Sequence, residues 1–158
     1  MYNSKNILIN FTPIIFFAMT LSVIYNNIIL IFIFFIGGFL NDIINTILKK
    51  FIFKKYNQII VSYKNNTPVT NNTPSGHFQS MAFSIVFFML CYKNKISTFK
   101  SYDTLLIYLV LYFIFALFEF YYCIKNKYHT VEDISVGILV GFLLGYIYFK
   151  LVTKYIQM

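Results

Sequence analysis

The sequence predicts an all-α fold, an integral membrane bundle of about five transmembrane helices, on three observations. First, the 158-residue chain is 59% hydrophobic and only 11% charged, against about 25% charged residues in ordinary soluble domains. Second, its Ile, Leu and Phe gather in runs that approach or exceed the roughly 20 residues a helix needs to cross a bilayer. Third, these runs lack the apolar–polar alternation of a barrel strand, and only helices or closed barrels satisfy their backbone in lipid. The length suits a single domain over residues 1–158.

The first span is expected over residues 7–25, interrupted by Asn10 and Pro13. It lacks a small-residue cleavage site, so it reads as a retained anchor rather than a cleaved signal. Asn26 and Asn27 turn the chain, and a second span begins near residue 28. Gly37-Gly38 gives a neighbouring helix room to approach. Asn41, Asp42 and Asn45 follow, then Lys49, Lys50, Lys54 and Lys55. Polar residues there are costly in lipid and should face the bundle or lie beyond the hydrocarbon. Residues 56–76 form the longest polar connection, rich in Asn, Thr and Pro. Its formal glycosylation sequons at Asn65 and Asn71 are each followed by Pro and read as accidental.

A short third span is expected over residues 77–92, then a polar loop and a clear fourth span over 104–124. Glu119, near the end of that span, reads as an interfacial acid close to Lys125 and Lys127. The last span covers residues 134–152 and repeats Gly137, Gly141 and Gly145 at four-residue intervals. Such a stripe suits close helix packing rather than phosphate binding. Cys91 and Cys123 lie in apolar runs without metal-ligand spacing and read as buried small hydrophobes, not a disulfide.

The formal net charge is +8, and all 13 basic residues are lysine. The lysines occupy short loops and helix ends, where membrane proteins carry flanking cations, so nucleic acid is not an expected partner. The abundance of Asn, Ile, Lys, Phe and Tyr with no Arg points to an A+T-biased coding sequence, in which Lys can stand where other chains use Arg.

Five spans bring the end of the second, the start of the third, the end of the fourth and the start of the fifth to one membrane face. Lys49 to Lys55, Ser75 to His77 and Lys125 to Asp133 therefore converge. His77 and His129 are the only histidines. Ser75-Gly76-His77 follows Pro74 and opens a helix, offering backbone N–H groups, a hydroxyl and an imidazole to an anion. Gly76 allows close approach of the backbone. Asp133, four residues after His129, lies one helical turn away and can orient it. These are the parts a phosphate ester needs in order to break without metal: donors for its charge, a nucleophile, and an acid for the leaving oxygen. His129 with Asp133 is the better nucleophile, and His77 remains as the proton donor.

Pro74-Ser75-Gly76-His77, His129-x-x-x-Asp133 with Gly137, and Asn41-Asp42-x-x-Asn45-x-x-x-Lys49 together resemble the three motifs of the type-2 phosphatidic acid phosphatase superfamily. With His77-Phe78-Gln79-Ser80-Met81, the chain is most similar to the dolichyl-diphosphatase branch. The resemblance covers residues from about 37 to 145. It implies a metal-independent membrane phosphatase working through a phosphohistidine, with no cofactor. Catalytic roles fall on His129, Asp133 and His77, and phosphate-holding roles on Lys49, Ser75 and Gly76. The partner implied is a membrane lipid bearing a phosphate or diphosphate head group, and the location an internal membrane such as the endoplasmic reticulum. The family's two arginine slots depart from the pattern: Lys49 is followed at the Arg-Pro positions by Tyr56 and Asn57, and the Ser-Arg positions before His129 hold Tyr122 and Cys123. Lys55, Lys125 or Lys127 can supply charge there, as point charges without the bidentate guanidinium fork. Three readings stand at this level: an active lipid phosphatase or diphosphatase, an impaired relative that binds anionic lipid or acts as a scaffold, and a small channel or helper subunit. The lysine distribution leans to a cytoplasmic site, and the dolichyl-diphosphatase resemblance implies a lumenal one.

Overall fold

A computed structural model describes residues 5–54, 73–96, 101–126 and 128–156. Five helices follow in order: α1 (Lys5–Ile24), α2 (Ile28–Ile47), α3 (Gly76–Lys93), α4 (Tyr102–Lys125) and α5 (Val131–Ile156). No strand occurs among the described residues. Lys55, both sequons and Lys127 lie outside them.

Local sequence explains the helix ends. Asn27 caps α2, its side chain accepting from the Leu30 amide at 3.0 Å, as an N-cap asparagine does. At its other end α2 runs into a π-helical turn over Leu48–Ile52, which carries Lys49. Ser101 caps α4 through the Asp103 amide.

α3 is the axis of the bundle. Phe78, Met81, Phe83, Val86, Phe87, Phe88 and Cys91 are all buried, with Gln79 and Ser84 among them. It packs on α5, α1, α2 and α4. The expected third span is therefore a core helix wrapped by protein, which is why its polar residues are tolerated and why no single apolar face is visible in its sequence. Among the described residues, the helices long and apolar enough to cross a membrane are Ile28–Ile52, Tyr102–Lys125 and Val131–Lys154; the apolar part of α1, Pro13–Ile24, is shorter. Their outward faces carry exposed Phe32, Phe35, Phe39, Phe113, Leu139 and Phe142, a surface suited to lipid and not to water.

The glycine stripe sets the central contact. A Cβ on Gly137 would stand 2.6 Å from the Ser75 carbonyl oxygen, one on Gly141 2.1 Å from that of Gln79, and one on Gly145 3.1 Å from that of Phe83. Residues 75, 79 and 83 share the same four-residue period, so two backbones lie against each other along two turns. At Gly37-Gly38 the nearest neighbours are side chains of adjoining helices: rings of Tyr148 and Phe83 lie against Gly37 and that of Phe17 against Gly38.

Candidate active site

The end of the bundle holding the α2 C-terminus and the α3 N-terminus gathers most of the expected residues. α5 opens on Thr130-Val131-Glu132-Asp133. The Thr130 amide donates to Asp133 Oδ2 at 2.9 Å, and the Asp133 amide donates to Thr130 Oγ1 at 3.2 Å. This is a reciprocal capping box with Asp in the usual Glu position. Asp133 Oδ1 also accepts a hydrogen bond from Thr73. Both carboxylate oxygens are thus engaged, and His129 Nδ1 stands 3.9 Å from Oδ2. That is ion-pair range and too long for a hydrogen bond. The expected orienting bond is replaced here by an electrostatic contact, because Asp133 is first of all the cap of α5. His129 Nδ1 is buried and has no hydrogen-bond partner.

Burial pushes the His129 imidazole below its ordinary value of 6.5; Asp133 pulls it back up, His77 and Lys49 push it further down, and Glu119 pulls up. The four groups that act on this ring come from the π-helical turn after α2 and from α3, α4 and α5.

Ser75 is fully buried and its Oγ has no hydrogen-bond partner. Its amide is already used, donating to the Asp133 carbonyl oxygen at 3.0 Å. The N–H groups of Gly76 and His77 in the first turn receive no cap from Ser75, so an unpaired hydroxyl and uncapped amides stand together at a helix N-terminus, where anions bind well. Lys49 Nζ lies 3.6 Å from where a Cβ on Gly76 would sit, next to Asn45 Oδ1 at 3.3 Å. A side chain at 76 would fill the space between the lysine and the helix end.

A polar seam joins α2 to α3 beside that lysine. Asn45 donates to Gln79 Oε1 at 2.6 Å and to the Pro74 carbonyl oxygen at 3.3 Å. Gln79 Nε2 donates to Asn41 Oδ1 at 2.9 Å, and Ser80 Oγ links Asn41 to Asp42. Asn41, Asn45 and Gln79 are buried. Buried polar groups joined this way fix one register between helices.

His77 turns towards α4, where Nδ1 meets Glu119 Oε1 at 3.2 Å. Glu119 is completely buried. This corrects the interfacial reading: the acid faces into the bundle, because its partner is a histidine on the central helix. Cys123, one turn on, directs its thiol to the same Oε1 at 3.6 Å. Lys125 is exposed, with Nζ 5.4 Å above the Tyr121 ring, and is not among the charges acting on His129. Sequence reasoning missed Thr73, Thr130 and the role of Glu119. The Thr-x-x-Asp box was legible; the Glu119 contact, 42 residues from His77, had no local signal. Among the described residues, no three His, Cys, Asp or Glu side chains are grouped to hold a metal ion.

The family model of the PAP2 superfamily matches residues 14–157, which includes all of these residues. The chain belongs to the PAP2 superfamily. No curated protein and no solved structure matches it. PAP2 proteins are helical membrane phosphatases, so the chain is a multi-pass membrane protein of a phosphohydrolase superfamily. Cys123 lies buried against Glu119.

Proposed function

We propose that this PAP2 member hydrolyses a lipid phosphate or a polyprenyl, dolichyl-type diphosphate, without metal, through a phosphohistidine on His129. The convergence of His129, His77, Ser75, Gly76 and Lys49 at one end of the bundle carries this reading. Lys49, the Ser75 hydroxyl and the first-turn amides of α3 hold the phosphate. His129, neutral because burial lowers its proton affinity, attacks phosphorus through Nε2. The P–O bond to the lipid breaks as the leaving oxygen takes the proton of His77 Nε2. Water then gives a proton back to His77 and displaces the histidine, releasing inorganic phosphate and restoring both rings.

An apolar cavity of about 290 Å³ supports a lipid substrate. It lies between α4 and α5 over α3, lined by Phe78, Ala82, Tyr112, Ala116, Ile138 and Phe142. Phe78 follows His77 directly and Ala116 precedes Glu119 by three residues, so an acyl or prenyl chain in this cavity would present its head group to the histidines.

The test is phosphate release by detergent-purified protein from a polyprenyl diphosphate and from phosphatidic acid, in EDTA, beside His129→Ala. Release that persists in EDTA and vanishes in the variant is the expected result. Folded protein that binds these lipids yet releases nothing would favour the second reading, an anionic-lipid-binding relative. Cys123, buried where the resemblance implies an arginine, supports that side.

A further inference from the structure

Glu119 is an anomaly in α4. Of that helix, only Tyr112, Glu119 and Cys123 are buried, while its remaining surface is largely exposed and apolar. A carboxylate inside a membrane bundle costs several kcal/mol unless it is paired. It meets His77 Nδ1 at 3.2 Å and the Cys123 thiol at 3.6 Å. The pair is asymmetric: Glu119 keeps 1% of its side chain exposed and His77 keeps 34%. The carboxylate engages Nδ1 from the protein side and leaves Nε2 outside that contact.

We infer that Glu119 is a positioning residue that holds His77 with its proton on Nδ1, so that Nε2 delivers a proton to the leaving oxygen. This rests on the phosphatase reading and adds to it a residue in α4. The bookkeeping of the step is simple. His77 begins as an imidazolium, with Nδ1–H on Glu119 and Nε2–H towards the ester. As the P–O bond breaks, the Nε2 proton moves to the leaving oxygen and the ring becomes neutral, still donating Nδ1–H to the carboxylate. Attack by water returns a proton to Nε2. Glu119 accepts the Nδ1–H throughout and so fixes which nitrogen reacts. Cys123 fits the same picture, since its neutral thiol is only a weak donor to Glu119 Oε1, whereas a cation there would compete with the histidine for it.

The experiment compares two substrates that differ in how much they need a proton. Dodecyl phosphate has a poor alkoxide leaving group; p-nitrophenyl phosphate leaves readily without protonation. Glu119→Gln should lower kcat on dodecyl phosphate about 10- to 100-fold, at or below the roughly 100-fold minimum a general acid contributes because only its positioning is lost, and on p-nitrophenyl phosphate less than about threefold. Glu119→Asp should recover part of the dodecyl rate. The double variant His77→Ala/Glu119→Gln should be no slower than His77→Ala, because both changes remove one function. Equal losses on both esters, no loss on either, or an additive double variant would overturn the assignment. The p-nitrophenyl rate reports folding, and Glu119→Asp carries the same comparison if Glu119→Gln does not accumulate. Wild-type protein that cleaves neither ester would instead overturn the phosphatase reading itself.

Discussion

At the residue scale the site is governed by the two histidines and the groups that hold them. His129→Ala should abolish turnover, and His77→Ala should mainly slow esters with poor leaving groups, both read from phosphate release. The acid limb of kcat/KM follows from burial of His129. Its protonated form is disfavoured, so activity rises with pH through a midpoint below 6.5. The same shift has a stability sign. Below 6.5 the unfolded chain takes up the proton more readily than the folded one, so stability falls as pH falls through that window. Asp133 pulls the ring upward; Asp133→Asn should therefore move the acid limb to still lower pH while reducing kcat. A limb that stays in place would show that the 3.9 Å contact does not reach the ring's titration.

At the scale of helices the two histidines are placed by the α3–α5 seam. A methyl group at 141 would meet a carbonyl oxygen at 2.1 Å, at 137 one at 2.6 Å, and at 145 one at 3.1 Å. Overpacking of this kind costs about 1–3 kcal/mol, so Gly→Ala should lower the unfolding temperature in detergent in the order 141, 137, 145. Much of this level was legible in the sequence. The apolar runs marked the helices, and the four-residue glycine period marked a packing face. The seam's partner was not legible, since nothing in residues 75, 79 and 83 announces which backbone will meet those glycines. Asn41 and Asn45 were expected to face the bundle or lie beyond the hydrocarbon, and resembled a family motif; their bonds to Gln79, which lock α2 to α3, had no signal of their own. A polar side chain looks the same in sequence whether it faces a ligand or a neighbouring amide.

At the scale of the whole molecule, α4 packs on α1 and α3 and hardly on α5. Thr20 and Tyr112, 2.6 Å apart, tie it to α1. The apolar cavity opens in the space left between α4 and α5. Ala116→Trp would fill it, and should raise KM for a long-chain lipid phosphate while sparing p-nitrophenyl phosphate. Equal effects on both would place the lipid tail elsewhere. The convergence of four helix ends was legible from counting spans alone. The cavity and the buried acid beside it were not, because both depend on how far two non-adjacent helices stand apart.

The chain has only six glycines, and at all six a Cβ would come within 3.3 Å of another part of the protein. Glycine in this sequence therefore works as a set of proximity marks. Gly38 reports α1 on α2, Gly37 reports α5 and α3 on α2, Gly76 reports α2 on α3, and the last three report α3 on α5. Together they specify the adjacency of four helices. A chain of similar composition that carried alanine at these places would keep its membrane-spanning hydropathy and lose the map by which its helices find their neighbours.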